Sequence, residues 1–83
     1  MAIFAEIQFD AVSDEGEEKM MTVIGRFQDL EQIEEWRIAY NFDPYIEDIN
    51  LSLPVGWTIS GSIEIGDILP DMMEGERYHV DFT

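Results

Sequence analysis

His79 is the single histidine of the 83-residue chain, and Asp81 shares its strand face two residues on, which places a base beside a carboxylate able to orient it. No nucleophile motif accompanies the pair, and the chain has no Cys, so this is not expected to be a catalytic dyad. The carboxylate pairs Glu34/Glu35 and Glu47/Asp48 would do acid–base work only if burial shifted one member, and their surface spacing predicts none. The run Asp14, Glu15, Glu17, Glu18 collects oxygen ligands but lacks the spacing that wraps Ca²⁺, and one His without Cys makes a poor zinc site. Gly61, Gly66 and Gly75 form no phosphate-cradling loop. The expectation is therefore a protein without catalytic residues, metal or cofactor.

What the sequence does carry is charge. Nineteen Asp plus Glu against four Lys plus Arg give a net charge of −15, which excludes direct binding of nucleic acid and disfavours anionic ligands. Solubility needs only about 2–8 net charges in a small domain. A duplex carries one negative charge per roughly 1.7 Å, so fifteen charges match about 25 Å of DNA. A domain of this length has a radius of gyration near 12 Å and a diameter of about 30 Å, a comparable density. The acids come in four groups, Asp14 to Glu18, Asp29 to Glu35, Asp43 to Asp48 and Asp67 to Glu76. The densest runs supply the candidate partner-binding residues: Asp14, Glu15, Glu17 and Glu18 in a loop, Glu31, Glu34 and Glu35 on a helix, and Glu47 and Asp48 beyond it.

The elements that must position them follow from period. Hydrophobics at 46% and aromatics at 12% set the chain apart from disordered acidic segments, and its length allows one domain, residues 1–83. Ile3, Ala5, Ile7 and Phe9 alternate with Phe4, Glu6 and Gln8 as a half-buried strand. Residues 13–18 are polar around Gly16 and predict a loop into a second strand in which Met21, Val23, Gly25 and Phe27 alternate with Met20, Thr22, Ile24 and Arg26, apolar on both faces apart from Thr22 and Arg26, an antiparallel hairpin. From Asp29 the period changes: Leu30, Ile33, Trp36 and Tyr40 recur at three- and four-residue steps, with Asp29 as N-cap and Gln32 placed to return to it, a helix of about three turns. Asn41 can cap its end, and Pro44 is expected to stop it and keep Asp43 extended.

Ile49, Leu51 and Leu53 alternate with Asn50 and Ser52, and after the turn residues Pro54-Val55-Gly56 the alternation resumes at Trp57, Ile59, Gly61, Ile63 and Ile65, predicting a second hairpin. Gly66-Asp67 and Pro70-Asp71 interrupt it. Met72, Met73 and a Gly75 turn precede a last strand with Tyr78, Val80 and Phe82 on one face. Trp36 and Trp57 fall on inward faces as core residues. The expected fold is α+β: an antiparallel sheet of about four to five strands in the order β-β-α-β-β-β, with one helix on one face. Glu6 and Asp10 interrupt the apolar run of residues 1–10, so it reads as neither signal peptide nor anchor, and the absence of Cys fits a reducing cytoplasm.

With its size, charge and β-β-α-β layout, and the strand-to-helix run Phe27-Gln28-Asp29-Leu30-Glu31-Gln32-Ile33-Glu34-Glu35-Trp36, the chain resembles small, acidic, cysteine-free inhibitors of bacteriophages and mobile elements. These include DNA-mimicking anti-restriction proteins and anti-CRISPR proteins that evade antiviral defence. The resemblance implies blockade of a host nuclease or CRISPR effector, in the host cytoplasm, at its DNA- or guide-binding surface. The expected partner is a basic nucleic-acid-binding protein or complex, met by a monomer or small homo-oligomer with no membrane involved. The alternative is a phage or mobile-element assembly protein that oligomerises through a sheet edge, the strand Ile49 to Leu53 or Tyr78 to Phe82.

Overall fold

The alternation that begins at Ile3 runs further than its apolar residues suggest and forms β1, Ile3–Ser13. A turn with Gly16 at φ +86, a left-handed conformation that costs glycine nothing, leads to β2, Glu18–Phe27, paired antiparallel with β1 from Ile3↔Phe27 to Val12↔Glu18. This is the expected hairpin. The structure is a computed structural model that describes residues 2–70 and 78–83. Met72, Met73, the Gly75 turn and the acids Asp71, Glu74 and Glu76 lie outside the described residues.

Helix α1, Leu30–Ile38, starts where expected, with Asp29 Oδ1 accepting the Gln32 N–H at 2.9 Å. Gln32 returns its Oε1 to the N–H of Gln28, one residue ahead of the cap, at 2.6 Å, and its Nε2 donates to the Phe82 carbonyl at 2.8 Å. One side chain thus closes the helix start and ties down the C-terminal segment. The apolar stripe is narrower than its spacing implied: Ile33 is fully buried and Trp36 half-buried, while Leu30 and Tyr40 are exposed and Tyr40 lies past the helix end.

The next stretch departs from expectation. Pro44 opens a 3₁₀ turn, Asp43–Tyr45, that leads directly into α2, Ile46–Leu51. A proline at a helix start loses nothing, because its missing N–H would have no intrahelical partner there. The alternation of Ile49, Leu51 and Leu53 is incidental: Ile49 is fully buried and Leu51 is 78% exposed, while Ile46, Ile49 and Leu53, spaced three and four apart, face the core. Residues 49–53 therefore supply neither a strand nor a sheet edge, and the second hairpin does not form.

Instead β3, Trp57–Ile68, pairs antiparallel with β1 and passes through Gly66-Asp67 by a register shift rather than ending there. The last strand, β4, is only Val80–Asp81 and runs parallel to β2, with Gly25↔Val80 and Arg26↔Asp81. Gly25 is required here, since a Cβ on it would collide with the Phe82 ring. The fold is α+β with a mixed four-stranded sheet in the order β3-β1-β2-β4 and element order β-β-α-α-β-β, two helices rather than one.

Both helices cover the same sheet face. Ile33 and Ile49 pack on Ala5, Ile7, Phe9 and Val23, and beside them Phe82 meets Phe27, Phe42, Tyr45 and Trp36 at ring-centroid distances of 5.0–5.5 Å. Trp36 joins this cluster, and Trp57 packs at the core's margin, as their inward positions predicted. The opposite sheet face, with Glu6, Gln8 and Asp10 of β1, has no helix over it among the described residues.

Candidate partner-binding surface

Topology decides whether the candidate carboxylates form one patch, and it separates them. Asp14, Glu15 and Glu17 sit in the β1–β2 turn and Glu18 opens β2, all four exposed. The turn is held from within: Ser13 Oγ accepts the N–H of Glu15 at 3.3 Å and of Glu17 at 3.1 Å, and the Ser13 N–H donates to the Glu17 carbonyl at 2.8 Å. The Asp14 N–H reaches the Gly56 carbonyl at 2.9 Å, fastening the tip to the α2–β3 connection.

Glu31, Glu34 and Glu35 lie on the exposed side of α1, opposite Ile33. That helix begins just after the Ile3↔Phe27 end of the hairpin, about ten residues or roughly 33 Å along β1 from the tip. Its last turn reaches back only as far as Ile65, which pairs with Ile7, still about 20 Å short of the tip. Glu47 and Asp48, also exposed, are on α2 between the two. The structure thus unites the four tip residues with one another and the three of α1 with one another. It does not merge the nine into one patch.

The principal extents are 40 × 27 × 20 Å and the radius of gyration is 12.7 Å. Fifteen net charges along 40 Å (40/15) is one per about 2.7 Å, below the duplex value of roughly 1.7 Å but above the roughly 3.4 Å of a single strand within it.

No described cation forms an ion pair with a described candidate acid, although Lys19 stands beside those of the hairpin tip. Lys19 Nζ lies 4.8 Å from the centre of the Trp57 ring, and Arg37 donates to the carbonyls of Ile65 and Gly66, both at 2.9 Å. Arg26 pairs with Asp81 at 3.3 Å, and among the described residues this is the only ion pair. The acidic field is felt locally at Tyr40, whose phenol is pushed up by partial burial and by the neighbouring Asp43.

His79 and Asp81 do not act on each other. His79 donates its backbone N–H to the Ile24 carbonyl at 2.8 Å, and its Nδ1 accepts the Ile24 N–H, also at 2.8 Å, so the ring stands in for a missing strand residue. At Asp81 partial burial favours the neutral form, but the Thr83 hydroxyl, the Thr83 N–H and Arg26 outweigh it and hold the carboxyl below its ordinary range. Among the described residues no three His, Asp or Glu side chains converge on a point where a metal could sit, and no helix is long and apolar enough to cross a membrane.

Besides Glu6, two carboxylates on the open sheet face stand outside the candidate set. Asp10, across from Met20, and Glu64, across from Gln8, flank a shallow depression of about 260 Å³. Asp10 was legible as a polar position in the β1 alternation, in phase with Glu6 and Gln8, but nothing local marked it as a neighbour of Met20. No family model, curated protein or solved structure matches this chain.

Proposed function

We propose that the protein is a non-catalytic inhibitor that binds a basic nucleic-acid-binding protein, a host nuclease or CRISPR effector, through an acidic surface that mimics DNA. The observation that carries this reading is that nine candidate carboxylates stand exposed on the hairpin tip, α1 and α2 while no described cation forms an ion pair with any of them. A negative charge density between that of a duplex and of one of its strands suits a cationic groove and gives a fast, salt-sensitive encounter. The test is capture from a host lysate followed by competition. The retained protein should bind nucleic acid, dissociate between about 50 and 200 mM salt, and be displaced by duplex DNA of about 25 Å or more. A retained protein without affinity for nucleic acid would overturn the reading.

The alternative, an assembly protein that oligomerises through a sheet edge, draws support from an edge other than the ones first considered. Residues 49–53 are helical and β4 is two residues long, but β2 is paired with β4 only at Gly25 and Arg26. A stable high-order oligomer in light scattering would select that alternative.

A further inference from the structure

Sheet edges are where unpaired backbone groups collect, and the hydrogen-bond phase of β2 shows which of its groups point outward. In an antiparallel pair the residues alternate between those that bond to the partner strand and those whose N–H and C=O point away from it. The Ser13–Glu17 bond puts the odd residues of β2 in the first class, so Glu18, Met20, Thr22, Ile24 and Arg26 point to the outer edge. Ile24 and Arg26 confirm the phase, because their outward groups are taken by His79 and Phe82. For Glu18, Met20 and Thr22 no outward partner exists among the described residues. Three consecutive outward residues leave three N–H and three C=O groups exposed over about 17 Å.

We propose that the outer edge of β2 from Glu18 to Thr22 accepts a basic, extended segment of a partner protein as a fifth strand. Edge addition supplies affinity through main-chain hydrogen bonds and leaves side-chain pockets to set preference. Charge decides the occupant. The edge starts at the acidic tip, with Glu17 and Glu18 beside it and Asp10 one strand inward across from Met20, so lysine or arginine on the added strand finds carboxylates next to it, while Lys19, the one cation of the stretch, is taken up by the Trp57 ring. Met20, 68% exposed on the open face, offers apolar contact to an alternating residue.

A second copy is a poor occupant. Antiparallel self-pairing about Met20 would bring two bodies of net charge −15 together and drive each acidic tip along the other's edge towards the position already held by His79 and β4. The inference rests on the acidic tip being a partner-binding surface, but not on its likeness to DNA.

Amide hydrogen exchange on the full chain tests it, with an acetylated, amidated eight-residue peptide of alternating Lys and Val as the probe. At peptide concentrations about tenfold above its dissociation constant, exchange at Glu18, Met20 and Thr22 should slow by about tenfold, while Lys19, Met21 and Val23, already bonded to β1, change little. The same peptide N-methylated on the alternate residues that face the edge should lose this protection, and a Glu–Val peptide should never give it. Met20→Pro, which removes an outward N–H and spares the β1 ladder, should abolish peptide binding with the fold retained. If that variant fails to fold, exchange on the unaltered chain still decides.

Equal binding of the N-methylated peptide would reduce the effect to diffuse charge and overturn the proposal. So would protection of the three amides by raised protein concentration alone, which would make a second copy the occupant. Salt-sensitive capture of a basic nucleic-acid-binding protein with these amides still exchanging freely would remove the edge site and leave the acidic-surface reading standing.

Discussion

The two edges of this sheet are treated in opposite ways. On the β3 edge the Trp57 N–H is returned to the Pro54 carbonyl, the Ile59 N–H is received by Asn50 Oδ1 at 2.9 Å, and the carbonyls of Ile65 and Gly66 are taken by Arg37. Two register shifts against β1, one of them within the stretch between Ile59 and Ile65 that these bonds leave open, break the evenness of what remains. On the β2 edge the cover stops at Ile24. Proteins that must stay monomeric blunt their edges with charge, bulges or covering elements. Here the helices cap parts of one edge with side chains, while for the other, next to the acidic tip, the described residues offer only charge. Charge repels a second copy but attracts a basic strand, which makes it a selective barrier.

That contrast can be broken first at Phe82. Phe82→Ala should cost about 3–5 kcal/mol, since the ring is buried against Trp36, Phe27, Phe42 and Tyr45, and it should free β4 and lengthen the open edge. Urea denaturation measures the first effect and exchange at the Ile24 amide the second. Asn50→Ala should cost about 1–3 kcal/mol by leaving the Ile59 N–H unpaired, and should raise self-association at high salt, where repulsion between copies is screened. Arg37→Ala should act in the same sense more weakly, because the carbonyls it releases can turn to water. Sedimentation at low and high salt would show both.

Charge changes should leave the fold almost untouched and alter binding. Reversing Glu31, Glu34 and Glu35 to Lys should change stability by no more than about 0.5 kcal/mol, yet flatten the salt dependence of partner binding. The smallest effect is expected at Asp81. Its carboxyl is held below the ordinary range, so it stabilises the fold above the unfolded value of about 4, and that contribution disappears as pH falls through its folded value. Asp81→Asn should therefore cost a little at pH 7 and nothing at low pH. The loss stays small because the side chain is 41% exposed and solvent screens its pairing with Arg26.

How much of this was legible in the sequence differs by element. The hairpin β1–β2 and the start of α1 were, because alternation and the Asp29/Gln32 spacing are local signals. Helix α2 was not. Over so few residues Ile49, Leu51 and Leu53 fit a period of two while Ile46, Ile49 and Leu53 fit a helix, and Pro44 serves equally to stop one helix or to start another. The parallel return of β4 and the strand order rest on contacts between residues 50 or more positions apart, such as Gln32 with Phe82, which no local pattern encodes. The same holds for the acids. Their exposure followed from residue type, but their division between the hairpin tip, α2 and α1 depended on where the chain placed each element.

The most direct measurement is the affinity of this protein for its captured partner from about 50 to 200 mM salt, with and without competing duplex DNA. The account predicts a steep, log-linear loss with salt, a shallower slope when Glu31, Glu34 and Glu35 are reversed, and displacement by the duplex. An affinity that salt leaves unchanged, or a complex that binds DNA and this protein at once without interference, would contradict it.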